Sequence, residues 1–396
     1  MINEKDSSMI DKKKICFFID NVFIYEIDFS NIENENPGIG GTEFVFLKDA
    51  FLLKKNGYDV VLILTKKPKN KEFVPIPFVC IDDKVSACEW AQDNHFDIIV
   101  FRDAPKINYS NFKNIYILCW FHNWPSKKRV KYLLSKHHNV RAIFVSKTLF
   151  NLYATNLNVN KKSYYIYNPL TKSDNDLIIR SPSSRFAFIG SIVPGKGLHR
   201  LLEQIPNIRK RIPDMELTII GSSTLYYNDS ISEYELECRD LIKKTGMHNY
   251  VHFAGKMNSS KMDDALRDIS LGIVVSECET FCISATDFMR NSIPVVGPIH
   301  GPIPEISPSK TGINYLRLKS ISKSISKSIN PKRYAKYQQN AFENIQRFKD
   351  EQIVLQWKYL LNNLEKKVNV GQLCKSISFS LFYFLRRLFR YLIKKI

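Results

Sequence analysis

The sequence predicts an α/β protein with two parallel-sheet domains, and three of its features carry that expectation. Short apolar runs recur along the chain, helix-like or polar stretches separate them, and one Pro- and Ser-bearing interruption divides the series into two sets. Runs that are apolar at nearly every position belong to strands covered on both faces, as parallel strands flanked by helices are. At 396 residues the chain can bury a core in each of two domains.

The first run, KKICFFID, reads as a buried strand. A glycine loop, NPGIGGTE, follows it, and then EFVFLKDAFLLKKNGYD, in which Phe44, Leu47 and Phe51 recur at helical spacing and Gly57 is placed to end the helix. DVVLIL, FVCI, FDIIVF, IYILCWF and RAIFV continue the strand series, which assigns residues 1–170 to an N-terminal domain. The polar stretch NPLTKSDNDLIIRSPSSR marks a linker at 171–184. Beyond it RFAFIG, MELTIIG, YVHFAG, LGIVVS and IPVVG each end in Gly or Ser and define a second domain over 185–330. In open parallel sheets ligands gather at such carboxyl ends of strands. Residues 331–367 read as a helical segment, and 368–396 as a basic tail of different character.

Composition narrows the class. An apolar share of 44% and a charged share of 24% are those of a folded soluble protein, neither disordered nor polytopic. The net charge of +19 attracts polyanions, a group that includes nucleic acid, anionic lipid and phosphorylated substrates. The eight cysteines form no C-x-x-C pair and no dense framework, so neither a zinc ribbon nor a disulfide scaffold is expected, and a reducing cytosol fits. The leader MINEKDSSMIDKKK has no apolar core of the kind a secretory signal needs.

Two segments carry chemistry. RFAFIGSIVPGKGLHRLLEQI places Gly190, Gly195 and Gly197 around a turn that holds Lys196 and runs into a helix with Leu198, Leu201, Leu202 and Ile205 facing inward. Glycines admit an anion close to the backbone, a helix N-terminus offers free N–H groups, and lysine adds a full charge, so a phosphate site is one reading. A plain strand-to-helix turn with a solvated lysine is the other. SECETFCISATDFMRNSIPVVGPIHGPIPEI holds Glu279 after a strand and Asp287 eight positions on, within an expected helix. Both carboxylates facing one cleft could accept hydrogen bonds from sugar hydroxyls; acids complementing a helix dipole are the alternative. The pair Asp174 and Asp176 has Asp-x-Asp spacing but lies in the linker, away from any strand end, so no metal is expected.

These motifs, in order, resemble family 4 of the retaining glycosyltransferases, whose fold is called GT-B: two Rossmann-like domains facing across a cleft. The resemblance runs over most of residues 13 to 315. Glu279, Asp287 and IPVV occupy the places of that family's paired acids and following Pro-Val, with Asp287 for the second glutamate, and with Cys282 and Asn291 where glycines are usual. GSIVPGKG resembles its diphosphate-binding segment, with Lys196 matching and Ser191 in place of an arginine. NPGIGGTE, WFHNWP, FVSKTLF and YNPL resemble landmarks of its N-terminal domain. The resemblance implies that Gly40 and Gly41 approach the donor diphosphate and that His122 lies beside the transferred sugar. It also places Gly190, Ser191 and Lys196 at the diphosphate, Glu279 on sugar hydroxyls, the backbone of Cys282, Ile283 and Ser284 against sugar and phosphate, and Asp287 on the ribose. Taken without the family, His122 is equally a core or loop histidine.

The implied activity is transfer of a sugar from a nucleotide-sugar donor to a glycan or glycolipid acceptor with retention, needing no cofactor and no metal, with His122, Lys196 and Glu279 as the catalytic set. Bacterial surface polysaccharide or lipopolysaccharide assembly is the expected setting. A dinucleotide-dependent oxidoreductase fits less well, since no G-x-G-x-x-G opens the first helix, and no nucleic-acid module supports a nucleic-acid partner. A catalytically silent member of the family is a further reading. Residues 376–396 are expected to form an amphipathic helix on an anionic membrane surface. There Leu381, Leu385, Leu388, Leu392 and Ile396 recur beside Phe382 and Phe389, with Arg386, Arg387, Arg390, Lys394 and Lys395 and no acid. That placement is cytoplasmic, peripheral to the inner face of the cell membrane.

Overall fold

The computed structural model describes residues 13–70, 73–154, 157–172, 176–224 and 230–365. Among the described residues seven parallel strands form the first sheet: β1 (Lys14–Ile19), β2 (Asp59–Leu64), β3 (Phe78–Cys80), β4 (Ile98–Arg102), β5 (Tyr116–Phe121), β6 (Val140–Phe144) and β7 (Ser163–Tyr165). They lie in the order β3-β2-β1-β4-β5-β6-β7. Five more form the second: β8 (Arg185–Ile189), β9 (Glu216–Ile220), β10 (Val251–Gly255), β11 (Leu271–Ile273) and β12 (Val295–Val296), ordered β10-β9-β8-β11-β12. In each sheet the chain steps outward from its first strand and then returns to that strand's other side, so the order reverses at β1/β4 and at β8/β11. The carboxyl ends of these strands flank the crevices where doubly wound folds bind ligands.

Every expected strand is present. An unexpected addition is β7, a three-residue edge strand whose Ser163 pairs with Ala142 of β6. The helical segment after residue 330 is two helices rather than one. Pro331–Ile345 packs on the second domain, where Asn344 Nδ2 donates to the Ile306 carbonyl at 2.8 Å. The chain then opens at Lys349 (φ −62°, ψ 151°), with Phe348 fully buried between Tyr167 and Phe281, and continues as the helix Asp350–Asn362.

That last helix returns to the first domain and lies on the helix Gly41–Lys55. Helix Gly41–Lys55 is buried on its outer side as well as against the sheet, which brings Lys48 and Asp49 wholly inside. Buried charges need partners. Lys48 Nζ donates to the Leu170 carbonyl at 2.9 Å and lies 3.1 Å from Asp350 Oδ1, while Trp357 Nε1 donates to Asp49 Oδ2 at 2.7 Å. The Trp357 ring itself meets Phe17 and Trp120 edge-on in the core of the first domain. No described helix is long and apolar enough to cross a membrane, and the tail at 368–396 lies outside the described residues.

Candidate active site

After β8 the chain turns sharply at Gly190, and Ile192 N donates to the Ser222 carbonyl at 3.1 Å beside the end of β9. Ser191 follows Gly190 in this turn. A single turn of tight helix, Pro194–Lys196, ends at Gly197, which has φ +73°. A Cβ at Gly197 would sit 2.6 Å from the Val275 carbonyl oxygen, so a side chain there meets backbone as well as an unfavourable dihedral. This close approach carries Lys196 to the loop that follows β11. Glu277 N donates to the Gly195 carbonyl at 3.1 Å, and Lys196 Nζ donates to Glu279 Oε1 at 2.7 Å. Burial opposes the charge on Lys196, but Glu279 more than offsets it and raises the lysine above its ordinary range, so it is an ammonium.

The helix Ile283–Arg290 begins three residues beyond Thr280. Its N-cap, Cys282, has φ +96° and ψ 76°, a conformation that glycine takes freely and other residues take under strain. Burial, followed by the charge of Glu279, pushes the Cys282 thiol up to about 12, so it is a neutral packing group. Opposite it stands the N-terminus of Gly41–Lys55, with Gly40 as N-cap. A Cβ on Gly41 would lie 2.4 Å from Ile283 Cδ1. Two helix N-termini from the two domains therefore abut, and each brings free N–H groups and about half a positive charge to the same crevice. The glycine loop is also held from across the seam: Asn36 N donates to Ser259 Oγ at 3.1 Å, and Ser259 N to the Asn36 carbonyl at 3.0 Å.

His122, at the end of β5, is 5% exposed, its ring against Trp120 and near Phe46. Burial, with help from the Arg102 charge, pushes its imidazole down to about 3, so the ring is neutral. Its Nε2 is buried and has no hydrogen-bond partner among the described residues. Buried polar atoms are rarely left so, and one at a crevice is available to a ligand. The His122 carbonyl accepts from Thr280 Oγ1 at 2.6 Å, which sets it next to Glu279.

Asp287 stands apart from this group. Its side chain, expected to face the crevice, is buried: Oδ1 accepts from the hydroxyl of Thr171 in the linker and lies 3.4 Å from Arg290 Nε. Burial outweighs these partners and raises its carboxyl above the usual range. Arg290 also pairs with Asp263, at 2.6 Å, and Lys172 pairs with Asp263 at 3.0 Å. One methylene shorter than glutamate, Asp287 is taken up by the linker network.

Three contributors carry no signal that sequence spacing could reveal. Asn36 shapes the glycine loop by accepting from Gly38 N and Ile39 N. Asp103, just past β4, holds φ +64° with its amide on the Trp120 carbonyl at 2.9 Å, and burial raises its carboxyl above the ordinary range. Glu305 reaches across the seam, as described below. Among the described residues no cluster of three His, Cys, Asp or Glu side chains could hold a metal ion.

Residues 171–344 match the family described as Glycosyl transferases group 1. Among solved structures the chain is similar to a glycosyltransferase from Rickettsia africae, at 15% identity over 91% of this chain and 100% of that one, with a TM-score of 0.70. It is similar to HepE of Anabaena, solved in complex with UDP and glucose, at 16% identity over 88% and 99%, with a TM-score of 0.65. It is also similar to the lipopolysaccharide outer core galactosyltransferase WaaB, at 15% identity over 88% and 99%, with a TM-score of 0.61. No curated protein matches the sequence. The fold is GT-B, and the stretch that matches the group 1 family, 171–344, holds its second parallel sheet.

Proposed function

We propose that the protein transfers a sugar from a nucleotide-sugar donor to a glycan or glycolipid acceptor, with retention of anomeric configuration. The observation that carries this is the Lys196–Glu279 pair beside two abutting helix N-termini, one from each domain. A departing nucleoside diphosphate needs positive charge already in place, and an ammonium with two sets of backbone N–H groups supplies it without reorganisation. Glu279, while holding Lys196, has a second oxygen for a hydroxyl of the sugar, and the Nε2 of His122 offers another partner on the opposite wall. The bond from the anomeric carbon to the diphosphate oxygen breaks with its electron pair on that oxygen. The acceptor hydroxyl forms the new bond on the same face and gives its proton to the departing diphosphate. No side chain serves as covalent nucleophile, and no metal is required.

A cavity of about 540 Å³ at the β1/β4 reversal, lined by Asp20, Asp82, Lys84, Lys106 and Arg129 among others, suits a hydroxyl-rich acceptor. Asp103 directly precedes Ala104 of its wall. Asp287 acts on the donor side by fixing the linker through Thr171. The UDP complex of HepE supports a uridine donor, and the lipopolysaccharide galactosyltransferase WaaB supports a role in surface polysaccharide or lipopolysaccharide assembly; the basic tail motivates placing that role at the inner face of the cell membrane.

Purified protein incubated with a panel of nucleotide sugars, with and without lipid extract, is expected to release nucleoside diphosphate from one donor. Release from none of them under both conditions overturns the reading.

A further inference from the structure

Glu305 lies in the short helix Ile303–Ile306 of the second domain, yet its carboxylate is spent on the first. Oε1 accepts from Lys147 N at 2.8 Å, and Oε2 from Thr148 N at 2.6 Å and from the Thr148 hydroxyl. These are the unsatisfied amides that open the helix Lys147–Tyr153, where negative charge is favoured. The carbonyl of Glu305 is held in turn by Arg347 Nη1 at 3.2 Å, in the stretch that joins the last two helices.

The next residue back extends the contact to the site. Ser146, fully buried, caps the same helix by accepting from Leu149 N at 3.2 Å and donates to the Thr280 carbonyl at 2.8 Å. Thr280 then donates to the His122 carbonyl at 2.6 Å. A series of hydrogen bonds thus runs from Glu305 through residues 146–148 to Thr280, the neighbour of Glu279, and on to His122, crossing the domain seam three times. Thr280 meets both Ser146 and His122, so the segments that follow β5 and β6 are tied to one loop, and Glu305 is the charged member of the series.

We propose that Glu305 is a positioning residue. By docking the first domain's helix Lys147–Tyr153, it fixes His122 opposite Lys196 and Glu279 in the geometry that transfers the sugar. The docking itself is independent of the reaction; its kinetic consequence rests on the glycosyl-transfer reading. Misplacing a reacting group by about 1 Å can cost on the order of 10²-fold in rate.

The test compares full-length wild type, Glu305→Ala and Glu305→Gln in two measurements. In hydrogen-exchange mass spectrometry without ligand, Glu305→Ala is expected to expose the amides of 146–150 and also those of 120–124, while Glu305→Gln, which keeps an acceptor oxygen, shows an intermediate gain at both. Exchange confined to 146–150 makes Glu305 a local cap and overturns the proposal. In turnover of the nucleotide sugar that wild type uses, Glu305→Ala is expected to lower kcat about 10- to 100-fold with the Kd for UDP within about threefold, and Glu305→Gln to recover part of the loss. Unchanged kcat, or a loss of UDP affinity by the same factor as kcat, also overturns it. If wild type turns over no nucleotide sugar, the proposed function fails, and the exchange pattern alone decides for or against the docking role.

Discussion

Replacing Lys196 by Met removes the charge nearest the crevice while keeping the stem. At 2.7 Å the Lys196–Glu279 attraction is about 6 kcal/mol for an effective dielectric constant near 20. The lysine side chain is 37% exposed and the glutamate 10%, so solvent screens much of this, and a net coupling of about 1–3 kcal/mol remains. The effect on the reaction should be larger than the effect on the fold, because a diphosphate gathers charge as it leaves and Lys196 is already aimed. By the usual cost of deleting one preorganised electrostatic donor, turnover should fall about 10²–10³-fold, or ~3–4 kcal/mol. The assay is nucleoside diphosphate release by Lys196→Met, Glu279→Gln and the double variant, each checked for wild-type circular dichroism. If the two residues act as a unit, the double variant loses less than the product of the single losses. Wild-type turnover in a folded Lys196→Met protein refutes the role, and independent, multiplying losses refute the coupling.

Further outcomes follow from the same geometry. Because His122 is neutral down to about 3, the pH profile of turnover should contain no limb between pH 5 and 8 that disappears in His122→Gln. The unfolded chain protonates this residue near its ordinary 6.5 and the folded chain does not, so stability should fall as pH drops from 6.5 toward 3. Denaturant midpoints measured against pH should show a shallower fall in His122→Gln. Cys282→Gly removes a left-handed non-glycine residue, worth about 1–2 kcal/mol, and loses a small buried thiol, so the melting temperature should rise slightly with turnover retained; a marked drop would mean that thiol packing dominates. Asp287→Asn should change UDP affinity by calorimetry less than about threefold, since an amide oxygen still receives Thr171; a tenfold loss would put Asp287 on the ribose. Deleting residues 371–396 should abolish sedimentation with anionic vesicles, at about 1 kcal/mol of attraction per lost surface cation, and leave turnover of a soluble acceptor intact.

The strands were legible because burial on both faces writes an unbroken apolar run, as in DVVLIL and IYILCWF. β7 was not, because SYY carries hydroxyls that an edge position tolerates. The break at Phe348–Lys349 has no Pro or Gly to announce it, since the cause is a phenylalanine captured between Tyr167 and Phe281. At the site, Lys196 and Glu279 stood in motifs with recognisable spacing, and their 2.7 Å pairing fits those motifs. The abutment of Gly41 on Ile283 joins segments more than two hundred residues apart and leaves no local trace. Glu305 escaped for a related reason. Its partners are main-chain amides of Lys147 and Thr148, and a carboxylate that binds backbone imposes no pattern on the side chains it touches. Asp287 shows the converse, a residue in a recognisable place whose shorter side chain is drawn to Thr171.

The helix Asp350–Asn362 gives the protein an order of events during synthesis. The first domain leaves the ribosome with its sheet complete, but with Lys48 and Asp49 open to water and a gap beside Phe17 and Trp120 where Trp357 belongs. Nearly two hundred residues lie between β7 and Trp357, so a nascent first domain awaiting them has apolar surface exposed, the kind of species that chaperones hold. The same closure makes the finished molecule a quality mark for full-length translation, because a chain cut short before Asp350 lacks the piece that seals its own beginning.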